Sequence, residues 1–345
     1  MKFVTFLAGL IAALPFVIAV EPFYSGYISF LLLIFVSDLK KINLKRLSYY
    51  LFYVFTVCIS LVNVDYYFEI KELLIGLLIP IVFLFFDLKI DYDSFFKGVN
   101  VGIVIVTLSL LYLSVEKNLI GNYMTFFTSE RDWGNDSLFY GNGTALVLTL
   151  ISSYYLIKDQ ILKSIIINIG AILTTSRVPL IMFAFIFIYI LLISNVKKIY
   201  KALLTFILMG LIIYAAIFIL KEESLINRFT RTGDRQYIFD YSFELFKKNI
   251  YLGFGPKDIP IYHHLHNSFF EVLFRYGIIT FIFYLILLLK GNLVNTRLIF
   301  IFLTVFFFTF TQINLHNINY VVILSVIISN FKNLQNDDSL KCIAT

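Results

Sequence analysis

Charge is what this sequence has least of. Asp, Glu, Lys and Arg together make up 14% of its 345 residues, against about 25% in an ordinary soluble domain. The shortage excludes a water-soluble globular enzyme, a disordered chain and a nucleic-acid-binding chain. Cysteine is almost absent. Cys58 lies inside an apolar run and Cys342 near the C-terminus, so no disulfide framework is expected. There are six prolines and one tryptophan, and no Gly/Ser linker, internal repeat or low-complexity domain divides the chain. The period-two alternation of a membrane β-barrel strand is missing as well. What the chain has in quantity is apolar surface: 60% hydrophobic and 18% aromatic residues, with a mean hydropathy of +0.87. The net charge of +6 is no nucleic-acid footprint, because the basic residues are spread between apolar runs and form no single stripe.

A helix needs about 20 mostly apolar residues to cross ~30 Å of hydrocarbon. Continuous apolar runs lie near 3–20, 23–37, 47–64, 72–88, 97–115, 138–157, 161–175, 178–194, 202–220, 268–289, 298–313 and 318–331. They predict an all-α polytopic membrane protein with about twelve transmembrane helices, a single integral membrane domain over 1–345. Pro15 and Pro80 fall inside two runs and predict kinks whose freed backbone groups neighbouring helices must satisfy.

Lysine and arginine set the orientation. With the N-terminus in the cytoplasm, the inner segments hold Lys2; Lys40, Lys41, Lys45 and Arg46; Lys89 and Lys97; Lys158 and Lys163; Lys197, Lys198 and Lys201; Lys290 and Arg297; Lys332 and Lys341. The short outer turns hold only Lys71 and Arg177. Both termini are therefore expected in the cytoplasm. Residues 1–20 could pass for a signal peptide, but the basic region is a single Lys and no clear small-x-small site precedes Glu21, so no cleavage is expected.

The largest polar stretch is the outer loop 221–267, between the ninth and tenth runs. It holds Arg228, Arg231 and Arg235, with His263, His264 and His266 near its end, and His316 lies in the last outer turn. All four histidines of the chain thus map to one face, and histidine is the usual proton-transfer residue near neutral pH. Gly233-Asp234 reads as a turn and N-cap. Residues 235–248 then place Tyr237, Tyr241 and Leu245 on one face, with Ile238 and Phe246 nearby, which predicts an amphipathic helix at the membrane surface. Asn249 and Gly253-Phe254-Gly255-Pro256 end it and turn the chain.

Arg177 stands in Thr174-Thr175-Ser176-Arg177-Val178-Pro179, where Pro179 suits the first turn of a helix. A helix N-terminus offers free N–H groups and positive potential, and Arg adds a fork of donors matched to phosphate oxygens. Arg snorkelling to the interface is the other reading of this segment. Taken together, Arg177, Arg228, Arg231 and Arg235 suit a pyrophosphate carried on a lipid tail. Few ionisable residues fall at mid-span, where an ion-coupled transporter usually needs some.

The order of these elements carries a resemblance. Thr-Thr-Ser-Arg-Val-Pro opens an apolar helix; a large outer loop with spaced arginines follows; then come Gly253-Phe254-Gly255-Pro256 and His266-Asn267-Ser268, leading into FFEVLFRYGIITFIFY. This resembles the superfamily of bacterial O-antigen polymerases (Wzy-type) and O-antigen ligases over about residues 165–290, and the first half agrees in topology. Arg275 departs from the acidic or neutral residue many relatives have before Gly277, Thr280 replaces the second glycine of the pattern, and the chain is short for the family.

The resemblance implies a metal-independent, multi-spanning glycosyltransferase without cofactor, in the bacterial inner membrane, with 221–267 as a periplasmic catalytic loop. Its substrates would be undecaprenyl-pyrophosphate-linked oligosaccharides, with the lipid bilayer and a chain-length regulator protein as further partners and no nucleic acid. His266, Arg177 and Arg231 are the expected catalytic residues. Arg228, Arg235, Ser176, Asn267 and Tyr237 are expected to bind pyrophosphate or sugar. Asp234 or Asp240 is the alternative base, and Tyr241 and Tyr262 are further stacking candidates. A polymerase of O-antigen or capsular repeat units is favoured over a ligase to the lipid A core. A flippase for the same lipid-linked sugar is a rival reading, and so is a structural membrane protein, although the latter leaves the Arg and His placement unexplained. His263, His264 and His266 with Asp258 could form a zinc set, but they lack the helical spacing usual at catalytic zinc. Asp91-x-Asp93 has the form of the acidic pair of nucleotide-sugar enzymes and reads as a solvated turn on the cytoplasmic side.

Overall fold

A computed structural model describes residues 1–14, 24–37, 44–63, 70–85, 90–116, 141–174, 178–192, 197, 201–202, 206, 210, 233–256, 267–290, 296–311 and 317–343. Among these residues the structure is helical, without a β-strand. The helices are α1 (Lys2–Ala13), α2 (Tyr24–Val36), α3 (Leu44–Ser60), α4 (Ile70–Ile81), α5 (Tyr92–Glu116), α6 (Gly141–Ile157), α7 (Ile161–Ile172), α8 (Val178–Leu192), α9 (Gly233–Lys248), α10 (Ser268–Leu289), α11 (Thr296–Thr311) and α12 (Ile318–Ile343). Short 3₁₀ turns extend α3 over Leu61–Asn63 and α4 over Val82–Phe85. Each predicted apolar run except 202–220 carries a helix, and most of 202–220 lies outside the described residues.

Length separates these helices. Leu44–Asn63, Tyr92–Glu116 and Ser268–Leu289 are long and apolar enough to cross a membrane alone, whereas the shorter apolar helices run to 10–17 residues. At 1.5 Å per residue, 17 residues give about 26 Å, a little under the hydrocarbon thickness. Large apolar side chains such as Phe35, Phe55, Val104 and Leu108 face outward. A surface of this kind is of the sort that lipid rather than water solvates.

The chain divides into two units, Met1–Ile103 with Arg235–Thr345, and Val104–Asp234. In the first unit, α1 and α5 cross so closely that a Cβ at Gly9 would lie 2.0 Å from the Phe95 carbonyl oxygen, and one at Gly98 the same distance from that of Phe6. Between helices in lipid, such small residues replace hydrophobic drive with backbone approach. α10 packs along α3, and α12 joins α1 and α2 through Asn319, whose Nδ2 donates to Ala12 O at 2.9 Å.

Pro80 ends α4 within a residue, so the expected kink is a switch to a 3₁₀ turn. Proline has no N–H for the carbonyl four residues back, here Gly76. The Tyr53 hydroxyl on α3 donates to that oxygen at 2.8 Å, and the Tyr50 hydroxyl donates to Leu77 O at 2.9 Å. Arg46, also on α3, donates to Phe83 O at 3.2 Å and to Lys290 O at 2.9 Å. α1 ends at Ala13 with Leu14 as its C-cap; Pro15, the other proline expected to kink a run, lies outside the described residues.

In the second unit α6 and α7 form a hairpin turned at Asp159, a non-glycine residue at φ 58°, and α8 packs against both. A buried polar seam runs through it. The Ser152 hydroxyl donates to Ser164 O at 2.9 Å, and Asn168 Nδ2 donates to Pro179 O at 2.8 Å.

Candidate functional site

α9 is the amphipathic helix that the loop sequence predicts, but its buried stripe is different. Ile238, Ser242 and Phe246 are buried, whereas Tyr237 is 54% exposed and Tyr241 and Leu245 are half-buried. Periodicity alone allows either face. The deciding factor is the partner surface, since Ile238 and Phe246 pack with Phe254 and Phe274. Phe246 and Phe274 stack with ring centres 5.0 Å apart. Gly233 and Asp234 fall within the helix, so the expected turn and cap at these two residues are absent.

Past α9 the chain turns at Asn249, whose Oδ1 accepts from Leu252 N at 3.2 Å and whose carbonyl accepts from Gly253 N at 2.8 Å. The next residues dock onto a break in α10. Gly277 stands at φ 80° and ψ 172° in the middle of that helix. The break frees backbone groups that lipid cannot satisfy. Phe274 O accepts from Phe254 N at 3.0 Å, Arg275 O accepts from Gly255 N at 2.7 Å, and Ile278 N donates to Ile250 O at 3.0 Å. Tyr276 O receives the Thr280 hydroxyl at 2.6 Å, which gives the departure at position 280 a local use. Both glycines are required by space as well as by torsion. A Cβ at Gly277 would lie 2.1 Å from Tyr251 O, and one at Gly253, where φ is +68°, would lie 2.3 Å from Arg275 O. From α3, Asn63 Nδ2 donates to Gly253 O at 2.9 Å.

Asn267 caps α10. Its Oδ1 accepts from Phe269 N at 3.0 Å and Phe270 N at 3.1 Å, the usual use of Asn at this position. The oxygen is therefore occupied by the helix, which leaves the amide nitrogen as its donor. Tyr237 stacks on Tyr241 with ring centres 6.5 Å apart. One turn below Asn267, Glu271 and Arg275 form an ion pair at 2.5 Å, each side chain 1% exposed. The sequence reading assigned this pair no role. Its signal was available: a carboxylate and a guanidinium one helical turn apart inside a run that otherwise has no charge.

Asp91 also has a local explanation. Its Oδ1 accepts from Ser94 N at 3.1 Å and its Oδ2 accepts from the Ser94 hydroxyl at 2.9 Å. It is the N-cap of α5. The Ser94 amide, then the Ser94 hydroxyl, hold its carboxyl below the usual aspartate value.

His266, Arg177, Arg231, Arg228 and Ser176 lie outside the described residues, as do His263, His264, Asp258, Tyr262 and His316. Arg235 falls in the first turn of α9, described for its backbone only. The described neighbours of Arg177 are Thr174, whose hydroxyl donates to Ala171 O at 2.7 Å, and Pro179, held by Asn168. These contacts fix the ends of α7 and α8 between which Ser176 and Arg177 stand.

Residues 162–285 match the model of a family described as O-antigen ligase. The stretch takes in Ser176-Arg177-Val178-Pro179, the arginine-bearing loop, Gly253–Pro256, His266-Asn267 and the broken part of α10. The resemblance read from those motifs thus holds over just over a third of the chain. No curated protein matches the chain.

Proposed function

We propose that this protein is a polymerase of O-antigen or capsular polysaccharide, joining undecaprenyl-pyrophosphate-linked repeat units at the periplasmic face of a bacterial inner membrane. The observation that carries the reading is the family match over 162–285, which spans every motif of the candidate site. The chain crosses the membrane about twelve times with both termini in the cytoplasm, as the Lys/Arg bias suggests, and 221–267 is the catalytic loop.

The reaction forms a bond between the acceptor hydroxyl oxygen of one lipid-linked repeat and the anomeric carbon of the growing glycan. The bond from that carbon to the carrier pyrophosphate breaks, and the pyrophosphate leaves with its electron pair. Charge develops on the leaving group, so donors that bind it more strongly in the transition state accelerate the step. Arg177 and Arg231 take this role, with Arg228, Arg235 and Ser176 binding the pyrophosphate. His266 accepts the proton from the acceptor hydroxyl, the usual work of a histidine near neutral pH. Asn267 and Tyr237 contact sugar, Asn267 through its amide nitrogen and Tyr237 through its exposed ring.

Replacing Arg177, Arg231 or His266 singly with alanine tests the reading by the length of surface glycan on a gel. Collapse to a single repeat unit is expected. A ligase would instead lose surface attachment while lipid-linked polymer accumulates, and a flippase would leave untransferred precursor on the cytoplasmic side. Wild-type chain lengths in all three variants would refute the assignment of these residues.

A further inference from the structure

We propose that the buried Glu271–Arg275 ion pair is a positioning device. It keeps the Gly253–Gly255 crossing seated on the break of α10 and thereby fixes where the chain enters the 257–266 segment. The functional consequence rests on the polymerase reading; the structural claim does not.

The pair and the crossing meet at one residue. The Arg275 carbonyl accepts from Gly255 N at 2.7 Å. Its guanidinium carbon lies 5.9 Å from the centre of the Phe254 ring, within cation–π range. Its Nε donates to Glu271 Oε1 at 2.5 Å. Glu271 N in turn donates to Asn267 O at 2.9 Å, the first bond of the helix that follows His266. The pair therefore ties the residues before the 257–266 segment to the residue after it. A buried ion pair contributes little net stability compared with apolar side chains of similar volume. Its retention inside an apolar helix is better explained by what Arg275 holds. Besides the backbone bonds, Asn63 on Gly253 O and the packing of Phe254 with Ile238, Phe246 and Phe274 hold the crossing; the guanidinium over Phe254 adds a planar cationic contact from the same residue whose carbonyl holds Gly255 N.

Two variants test this, the neutral double E271Q/R275M and the single R275K, in the full-length protein in detergent. The readouts are folded yield, amide hydrogen exchange and transfer. The double variant is expected to keep wild-type yield, with exchange at Phe254 and Gly255 at least tenfold faster and α3 and α12 unchanged. R275K keeps the ion pair but loses the planar contact with Phe254, and an increase of about threefold is expected at the same two amides. Donor transfer in proteoliposomes should lose kcat about tenfold in the double variant with KM within twofold. Unchanged exchange at Phe254 and Gly255 in whichever variant folds would overturn the proposal, and so would faster exchange spread evenly over α3, α10 and α12. If the wild type transfers no glycan, the polymerase reading fails, and the exchange result still decides the role of the pair.

Discussion

Asp91 places both carboxylate oxygens on Ser94, and this sets a pH response. Its folded-state pKa lies below that of an unfolded aspartate, near 3.9, because the Ser94 amide and hydroxyl favour the charged form. The cap therefore stabilises the folded state fully above that unfolded value, and the contribution is lost as the pH falls through the lower, folded one. Asp91→Asn keeps a capping oxygen and removes the charge. Unfolding of the wild type and of the Asn variant in detergent should differ most above about pH 5 and converge as the pH falls through the lowered, folded-state value. A difference that grows on acidification would contradict the capping role. At the same scale, Asn267 is a cap before it is anything else, and any contact with sugar falls to its nitrogen. Asp91 was legible in the sequence as a solvated turn. The helix bonds of Asn267 were hidden there, because His266-Asn267 reads first as chemistry.

Among the elements, α4 shows how a broken helix stays in a membrane. Pro80 strips Gly76 O of its partner, and Tyr53 supplies one from α3. Tyr53→Phe should cost about 1–3 kcal/mol, the penalty of an unsatisfied buried carbonyl. In a Pro80→Ala background the helix can supply the N–H itself, and the same substitution should cost less than about half as much. Equal costs in the two backgrounds, measured by chemical unfolding, would show that Tyr53 acts through packing alone. Element positions were largely legible, because continuous apolar runs and Lys-rich turns follow from the bilayer itself. The buried stripe of α9 was not. Tyr237, Tyr241 and Leu245 are as plausible on a helical wheel as Ile238, Ser242 and Phe246, and only the facing Phe254 and Phe274 choose between them. The break in α10 was equally hidden, since a lone Gly277 in an apolar run does not announce three backbone bonds from a segment more than 20 residues earlier.

At the level of the whole molecule, the distribution of basic residues makes a claim about sidedness. In a protein with Cys58 and Cys342 replaced, a cysteine at Gln160, in the Lys-flanked turn between α6 and α7, should be shielded from a membrane-impermeant maleimide added to spheroplasts. A cysteine at Tyr251, a side chain 68% exposed within the candidate loop, should be labelled. The reverse pattern would turn the arginines toward the cytosol and remove the enzyme reading. Fold class and the order of motifs could be read from sequence alone because composition and spacing encode them. The pyrophosphate-binding and base assignments depend on side chains from separate segments, and spacing along a chain does not encode such convergence.

The stitching at Gly277 has a practical corollary for swapping parts between homologues. Residues 250–255 and 274–278 are sewn together by main-chain bonds, and the two glycines of the crossing leave no room for a side chain. The ten positions from 257 to 266 lie in sequence between those two stretches. They form a natural cassette, and chimeras meant to exchange sugar preference should be cut at Pro256 and Asn267.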